Sequence, residues 1–247
     1  MDEQTKIMYQ RWSIYLGPVF VTTFVYFWAY LGHNLPPQHP DWPAQAFTDR
    51  YLEHLTSIRV GFLVGLVTIC FYLPWTGYVT ARMMRIERGY YPVLSWLQLL
   101  GGCLTVMVVS ISMWCWVVAA QRPERSPEIT QMLTDAGWLM NDNVYMCTTL
   151  QMFAMALCFL HDKKSKLPVM PNWACYVTIF CGATFFPASL TAVLRNGPFA
   201  YDGLIGFWLP YPAWLVWMFI ASYYLLKDMN RRVREGEDDG AAAPGSA

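Results

Sequence analysis

The stretch SWLQLLGGCLTVMVVSISMWCWVVA, residues 95–119, decides the fold class, because it runs its whole length without a charged side chain. About 20 apolar residues in an α-helix cross the ~30 Å of hydrocarbon in a bilayer. In that medium a backbone satisfies its own polar groups only as a helix or a closed barrel. Five further segments read the same way, at residues 13–32, 58–79, 137–160, 174–194 and 204–226. The expectation is an all-α, polytopic integral membrane protein: one domain over residues 1–234, built as a six-transmembrane-helix bundle, followed by a disordered tail at 235–247. Composition agrees, since 55% of residues are hydrophobic and 14% charged, against roughly one-quarter charged in a soluble domain.

Orientation follows from the basic residues. Of the 17 Lys and Arg, twelve fall on one side: Lys6, Arg11, Arg82, Arg85, Arg88, Lys163, Lys164, Lys166, Lys227, Arg231, Arg232 and Arg234. The other side holds Arg50, Arg59, Arg122, Arg125 and Arg195. The positive-inside rule places the richer side, with both termini, in the cytoplasm. The apolar run at 13–32 exceeds the ~7–15 residues of a signal-peptide core and lacks an A-x-A-like cleavage site, so it reads as a retained helix. The Ala- and Gly-rich tail suggests a bacterium, hence its cytoplasmic (inner) membrane. A formal net charge of zero gives no reason to expect nucleic acid.

The connections differ in character. Residues 33–57 begin Pro-rich and predict a short helix over 45–55. Residues 121–136 become helix-compatible from Glu128, so the fourth membrane helix is expected to begin outside the bilayer. Residues 195–203 form an Asn-Gly-Pro turn that makes spans five and six antiparallel neighbours. Pro187, Pro210 and Pro212 remove backbone donors and predict bent or interrupted helices in those two spans. Gly61 and Gly65 at GxxxG spacing, and Gly101 with Gly102, predict close intrachain helix packing. Trp12, Trp28, Trp42, Trp75, Trp96, Trp138 and Trp173 near span ends read as interfacial belts. All seven cysteines lie within spans, so no external disulfide framework is expected; small reduced packing residues are the plain reading.

The ionisable groups that approach the membrane gather toward one end: Arg59, Asp135, Asp142, Arg195 and Asp202. Asp135, Asp142 and Thr149 recur every seven residues and, with Trp138 and Tyr145, share one face of span four, which should point into the bundle. A carboxylate at the depth of Asp142 needs a partner or a proton, and an ion pair with Arg59 is the expected one. Gln151, deeper on the same helix, is expected to bond across to a neighbour. Arg195 and Asp202 are expected to satisfy each other across the turn, or Tyr201 and Asp202 to cap a pocket. Tyr211 and Trp208, with Trp214 and Trp217, are candidates for its aromatic wall. No metal site is expected; His33 and His54, flanking the first outward connection, are the weakest of candidates, and no cofactor is called for. The methionine-rich span four reads as adaptable core filling.

No P-loop, Rossmann glycine fingerprint, G-x-S-x-G, H-E-x-x-H or di-iron histidine box occurs, and the halves show no repeat of the transporter kind. Three classes of function remain. The leading expectation is binding or transport of a small, lipophilic or weakly charged molecule through an outward-facing polar and aromatic vestibule formed by spans two, four, five and six. The first alternative is a non-catalytic subunit of a larger membrane complex. The second is a membrane enzyme on a lipid-like substrate, with Asp142 as acid or base. Partners are the bilayer and, by class, a small lipophilic ligand or further membrane subunits.

Overall fold

In the computed structural model, which describes residues 1–88, 91–162 and 167–235, six helices are long and apolar enough to cross a membrane. They are α1 (Glu3–Leu31), α3 (Leu55–Ile86), α4 (Val93–Gln121), α5 (Pro127–Leu160), α6 (Asn172–Ala192) and α7 (Leu204–Glu235). A short α2 (Ala44–Glu53) lies between α1 and α3, close to the helix expected at 45–55. The described residues are all-α, with no strand, and the chain is a multi-pass membrane protein. The expected tail lies outside the described residues from 236 onward.

The spans overrun their apolar cores. At the N-terminus the Asp2 carboxylate accepts from the Thr5 backbone N–H at 2.9 Å, a side-chain cap that starts α1 before its apolar run begins. Hydrogen bonding from the Thr5 side chain, and then from this backbone N–H, holds the Asp2 carboxyl below its usual range. Between α3 and α4, Glu87 accepts from the backbone N–H of Leu94 and of Ser95, so one helix end caps the next. At the other terminus Asp228 pairs with Arg231 and Arg232 at helical spacing, and α7 stays regular well beyond residue 226.

The six spans close into a ring in the order α4, α5, α6, α7, α1, α3 and back to α4. Odd and even spans alternate in direction, so the start of α1, the last turns of α7, and the described parts of the links after α3 and α5 (87–88, 91–92, 161–162 and 167–171) occupy one end, here the terminal end. The connections at 32–54, 122–126 and 193–203 occupy the other, the loop end. Small residues set the tightest crossings. A Cβ on Gly101 would sit 2.6 Å from the Cys147 carbonyl oxygen, and one on Gly61 2.5 Å from that of Phe27, so both small-residue patches serve packing within the chain.

Aromatic rings fill the interior. Trp28 packs within 6.4 Å of Trp116, Trp138, Phe207 and Tyr211, and Trp214 within 6.4 Å of Phe20, Phe24 and Tyr72. The belt reading fails for Trp28, Trp75 and Trp138, which are buried in this core, whereas Trp12, Trp42, Trp96 and Trp173 are exposed as a belt requires. Gln151 does bond across the bundle, accepting from the Tyr72 hydroxyl at 2.7 Å.

Three spans are interrupted around one level. The α5 helix is broken between Asn143 and Met146, α6 ends its regular part at Ala183, and α7 opens with a wide turn over Leu204–Trp208 before Pro210. Freed backbone groups find partners: the Thr149 hydroxyl donates to the Gly182 carbonyl at 3.0 Å, next to the Pro187 break.

The first loop-end connection is not a surface strap. Asn34 and Gln38 are buried, the Gln38 amide donates to Asn34 Oδ1 at 3.1 Å, and its Oε1 accepts from the Trp138 indole N–H at 2.7 Å. His33, with φ of 53°, and His54 stack face to face, ring centroids 3.9 Å apart. Burial, and then the charges of His54 and Arg50, hold the His33 pKa below its ordinary 6.5. A depressed folded-state value means that the unfolded chain takes up the proton first. Stability from neutral His33 is therefore present above about pH 6.5 and lost as pH falls through the lower folded value. In His33→Asn, which tolerates the left-handed backbone but cannot titrate, the thermal midpoint should fall less between pH 7 and pH 5 than in the natural protein. Equal slopes would show that His33 does not carry the acid sensitivity.

Candidate functional site

The loop end holds a groove of about 630 Å³ between the first half of α5, the end of α6 and the 193–203 turn. Its polar lining is Glu128, Gln131, Asp135, Thr191, Arg195 and Tyr201, and its apolar walls include Met132, Leu139, Val193 and Leu194. The Tyr201 hydroxyl donates to Asp135 Oδ1 at 3.0 Å, and its ring lies flat on Trp138, centroids 5.4 Å apart with planes within 6°. Arg195 supplies the compensating positive charge beside Asp135. Burial, and then the Asp135 carboxylate, push the Tyr201 phenol far above its usual range, so it remains a proton donor at every physiological pH.

Behind the groove floor lies a buried layer. Asp142, 1% exposed, accepts from the Tyr211 hydroxyl at 2.7 Å through Oδ1. Its Oδ2 has no hydrogen-bond partner of good geometry, the Thr191 hydroxyl standing beside it. Thr191 also accepts from the Asn143 amide at 3.3 Å, so one side chain touches both the groove and the Asp142 layer. On the far side of Tyr211 a cavity of about 40 Å³, lined also by Asn141, Tyr145, Thr148 and Trp214, is large enough for a water molecule or two. Tyr145 closes this level, its hydroxyl 2.8 Å from Ser189 Oγ.

Several sequence-based expectations meet here. Asp135, Trp138, Asp142, Tyr145 and Thr149 do face the interior, with Asp135 half-buried and the rest buried, as their seven-residue spacing requires. Arg59 does not pair with Asp142: its guanidinium donates to the carbonyls of Ala120 and Gln121 at 3.0 and 2.9 Å, where the C-terminus of α4 leaves them open. Span two therefore stays out of the groove. Asp202 turns from Arg195 toward His39, Nε2 to Oδ2 3.8 Å; burial raises its carboxyl pKa, opposed first by His39. Trp208, 45% exposed, packs edge-on to Phe207 and faces away from the groove, while Tyr211 sits at the centre of the buried layer. Two parallel rings stacked like His33 and His54 cannot both hold one ion in their planes, and no cluster of three metal-ligating side chains occurs among the described residues.

Two features escaped sequence reasoning. Arg50 reaches into the cap near Tyr51 and Tyr201; burial pushes its pKa down to about 10, and both terminal nitrogens lack hydrogen-bond partners among the described residues. At the terminal end, Asp228 collects Arg82, Arg231 and Arg232 at 2.8, 2.6 and 3.1 Å. A carboxylate flanked by arginines at i+3 and i+4 on α7 was the available sequence signal.

Fold and site together define a polytopic, six-span helical membrane protein with a polar groove at its loop end and a buried carboxylate behind it. Comparison with protein-family models, curated proteins and solved structures finds no match.

Proposed function

We propose that this protein binds a small, lipophilic molecule bearing one hydrogen-bond donor or one positive charge, in the loop-end groove. By the distribution of Lys and Arg this end faces outward and both termini face the cytoplasm. The observation that carries the reading is the convergence of Asp135, Tyr201 and Arg195 on a groove of about 630 Å³, within the roughly 300–1,000 Å³ typical of small-molecule sites. Two carboxylates, Glu128 and Asp135, against the single Arg195 favour a cationic or donor head. The methionine and aliphatic walls favour an apolar body. The three interrupted helices around Asp142, with Thr191 linking that layer to the groove, support onward passage of the molecule, since discontinuous helices at a buried polar site are how many transporters hold their cargo.

Native mass spectrometry of the protein released gently from its own membrane tests this. The natural protein should carry a small non-lipid molecule, and Asp135→Asn and Tyr201→Phe should lose it while remaining folded. Identical adduct masses in all three proteins would overturn the reading. Stoichiometric foreign subunits in place of a ligand would instead make this chain the non-catalytic subunit of a membrane complex.

A further inference from the structure

The terminal end carries two grooves on either side of the last turns of α7, both lined by Lys227 and Arg234. One, about 380 Å³, lies against the start of α6 and adds Arg231, Trp173 and Tyr224. The other, about 570 Å³, lies toward α1 and adds Arg11, Asn230 and Tyr223. Among the described residues, Asp228 is the one carboxylate in either lining, and its oxygens are already engaged by Arg82, Arg231 and Arg232. Three guanidinium groups surround that one carboxylate, so Asp228 is not available to neutralise the cations that line the grooves. Lys227 and Arg234 are exposed, and among the described residues Arg11 donates to the neutral Asn230, at 3.2 Å.

An apolar track leads away from each groove toward the middle of the bundle. On α6, Trp173, Tyr176 and Phe180 are spaced i, i+3, i+7 and all exposed; on α7, Tyr223, Phe219 and Val216 run back at the same spacing and are exposed too. A cationic groove that opens onto an exposed apolar track matches a molecule with an anionic head and a hydrocarbon body. A freely diffusing phosphate ion would use the head site and leave the tracks idle.

We infer that these two grooves bind the headgroups of anionic phospholipids, whose acyl chains lie along the exposed tracks of α6 and α7. Juxtamembrane Lys and Arg attract an anionic lipid surface, and the aromatic residues at the groove edges suit the headgroup level. The site is independent of the loop-end groove.

The test uses the purified full chain in neutral detergent, with phosphatidylglycerol, phosphatidylcholine or inorganic phosphate added separately, read by lipid retention in native mass spectrometry and by thermal midpoint. Phosphatidylglycerol should be retained and raise the midpoint, whereas phosphatidylcholine and phosphate should do neither. The double variant Lys227→Gln, Arg234→Gln spares the Asp228 cluster, so its lipid-free midpoint should match the natural protein while phosphatidylglycerol retention falls about tenfold or more. Equal retention of phosphatidylcholine, or undiminished phosphatidylglycerol retention by the double variant, would overturn the inference. A phosphate-induced shift equal to that of the lipid would overturn it in favour of a free anion. Because the loop-end groove is untouched by this variant, loss of its ligand and loss of the lipid are separable results.

Discussion

Replacing Asp228 by alanine is expected to destabilise the folded protein by about 3–5 kcal/mol, the usual cost of removing one partner from a buried ion pair. Arg82 and Arg232, 8% and 6% exposed, would each lose the buried carboxylate they share. The Tyr78 hydroxyl, which accepts from Arg232 at 2.9 Å, supplies no compensating charge. The loss should appear as a large drop in thermal midpoint in detergent and in the yield of monodisperse protein. Asp228→Glu, which keeps the charge but shifts its reach, should fall between. Asp228→Ala at the natural midpoint would mean that water already screens these arginines and that the cluster holds nothing together.

Trp138→Ala is the second large effect, about 3–5 kcal/mol for truncating a fully buried tryptophan. The side chain is the junction of three parts: its indole N–H anchors Gln38 of the loop cap, its face carries Tyr201, and its edges meet Trp28 and Trp116. Trp138→Phe keeps most of the ring contact and removes the N–H, leaving Gln38 Oε1 short of a donor, and should cost about 1–3 kcal/mol. Thermal unfolding of both variants separates the contributions: equal losses would place the whole effect in the hydrogen bond, and a negligible loss in Trp138→Phe would place it in packing.

The two variants also mark what was legible before the fold was known. Charge-free runs longer than a bilayer is thick read directly as spans, because hydrocarbon leaves a backbone so few choices. Helix ends were harder, since caps such as Asp2 and Glu87 and pairs such as Asp228 with Arg232 carry helices past their apolar cores. At the site, the seven-residue recurrence of Asp135 and Asp142 identified the inward face of α5. The partner of Asp142 could not be read the same way: Tyr211 lies 69 residues away in sequence, and nothing local encodes the rotation of α7 that brings it there. Arg59 was assigned by depth and sign of charge alone, and the open carbonyls at the end of α4 outcompeted the carboxylate. The buried tryptophans were misread for a similar reason, because position along a helix says nothing of its rotational phase.

The indole net has a photophysical consequence. Trp28, Trp116 and Trp138 stand with ring centroids 5.3–5.9 Å apart, close enough for excitation absorbed by one to migrate among all three before it is emitted. Burial from water should make emission from this trio blue, and migration should depolarise it even in a rigid protein. Tyr201 lines the groove and lies flat on Trp138, so a molecule bound there as proposed would reach the trio through that one ring. Under the proposed function, the protein's own emission would then report occupancy with no label attached.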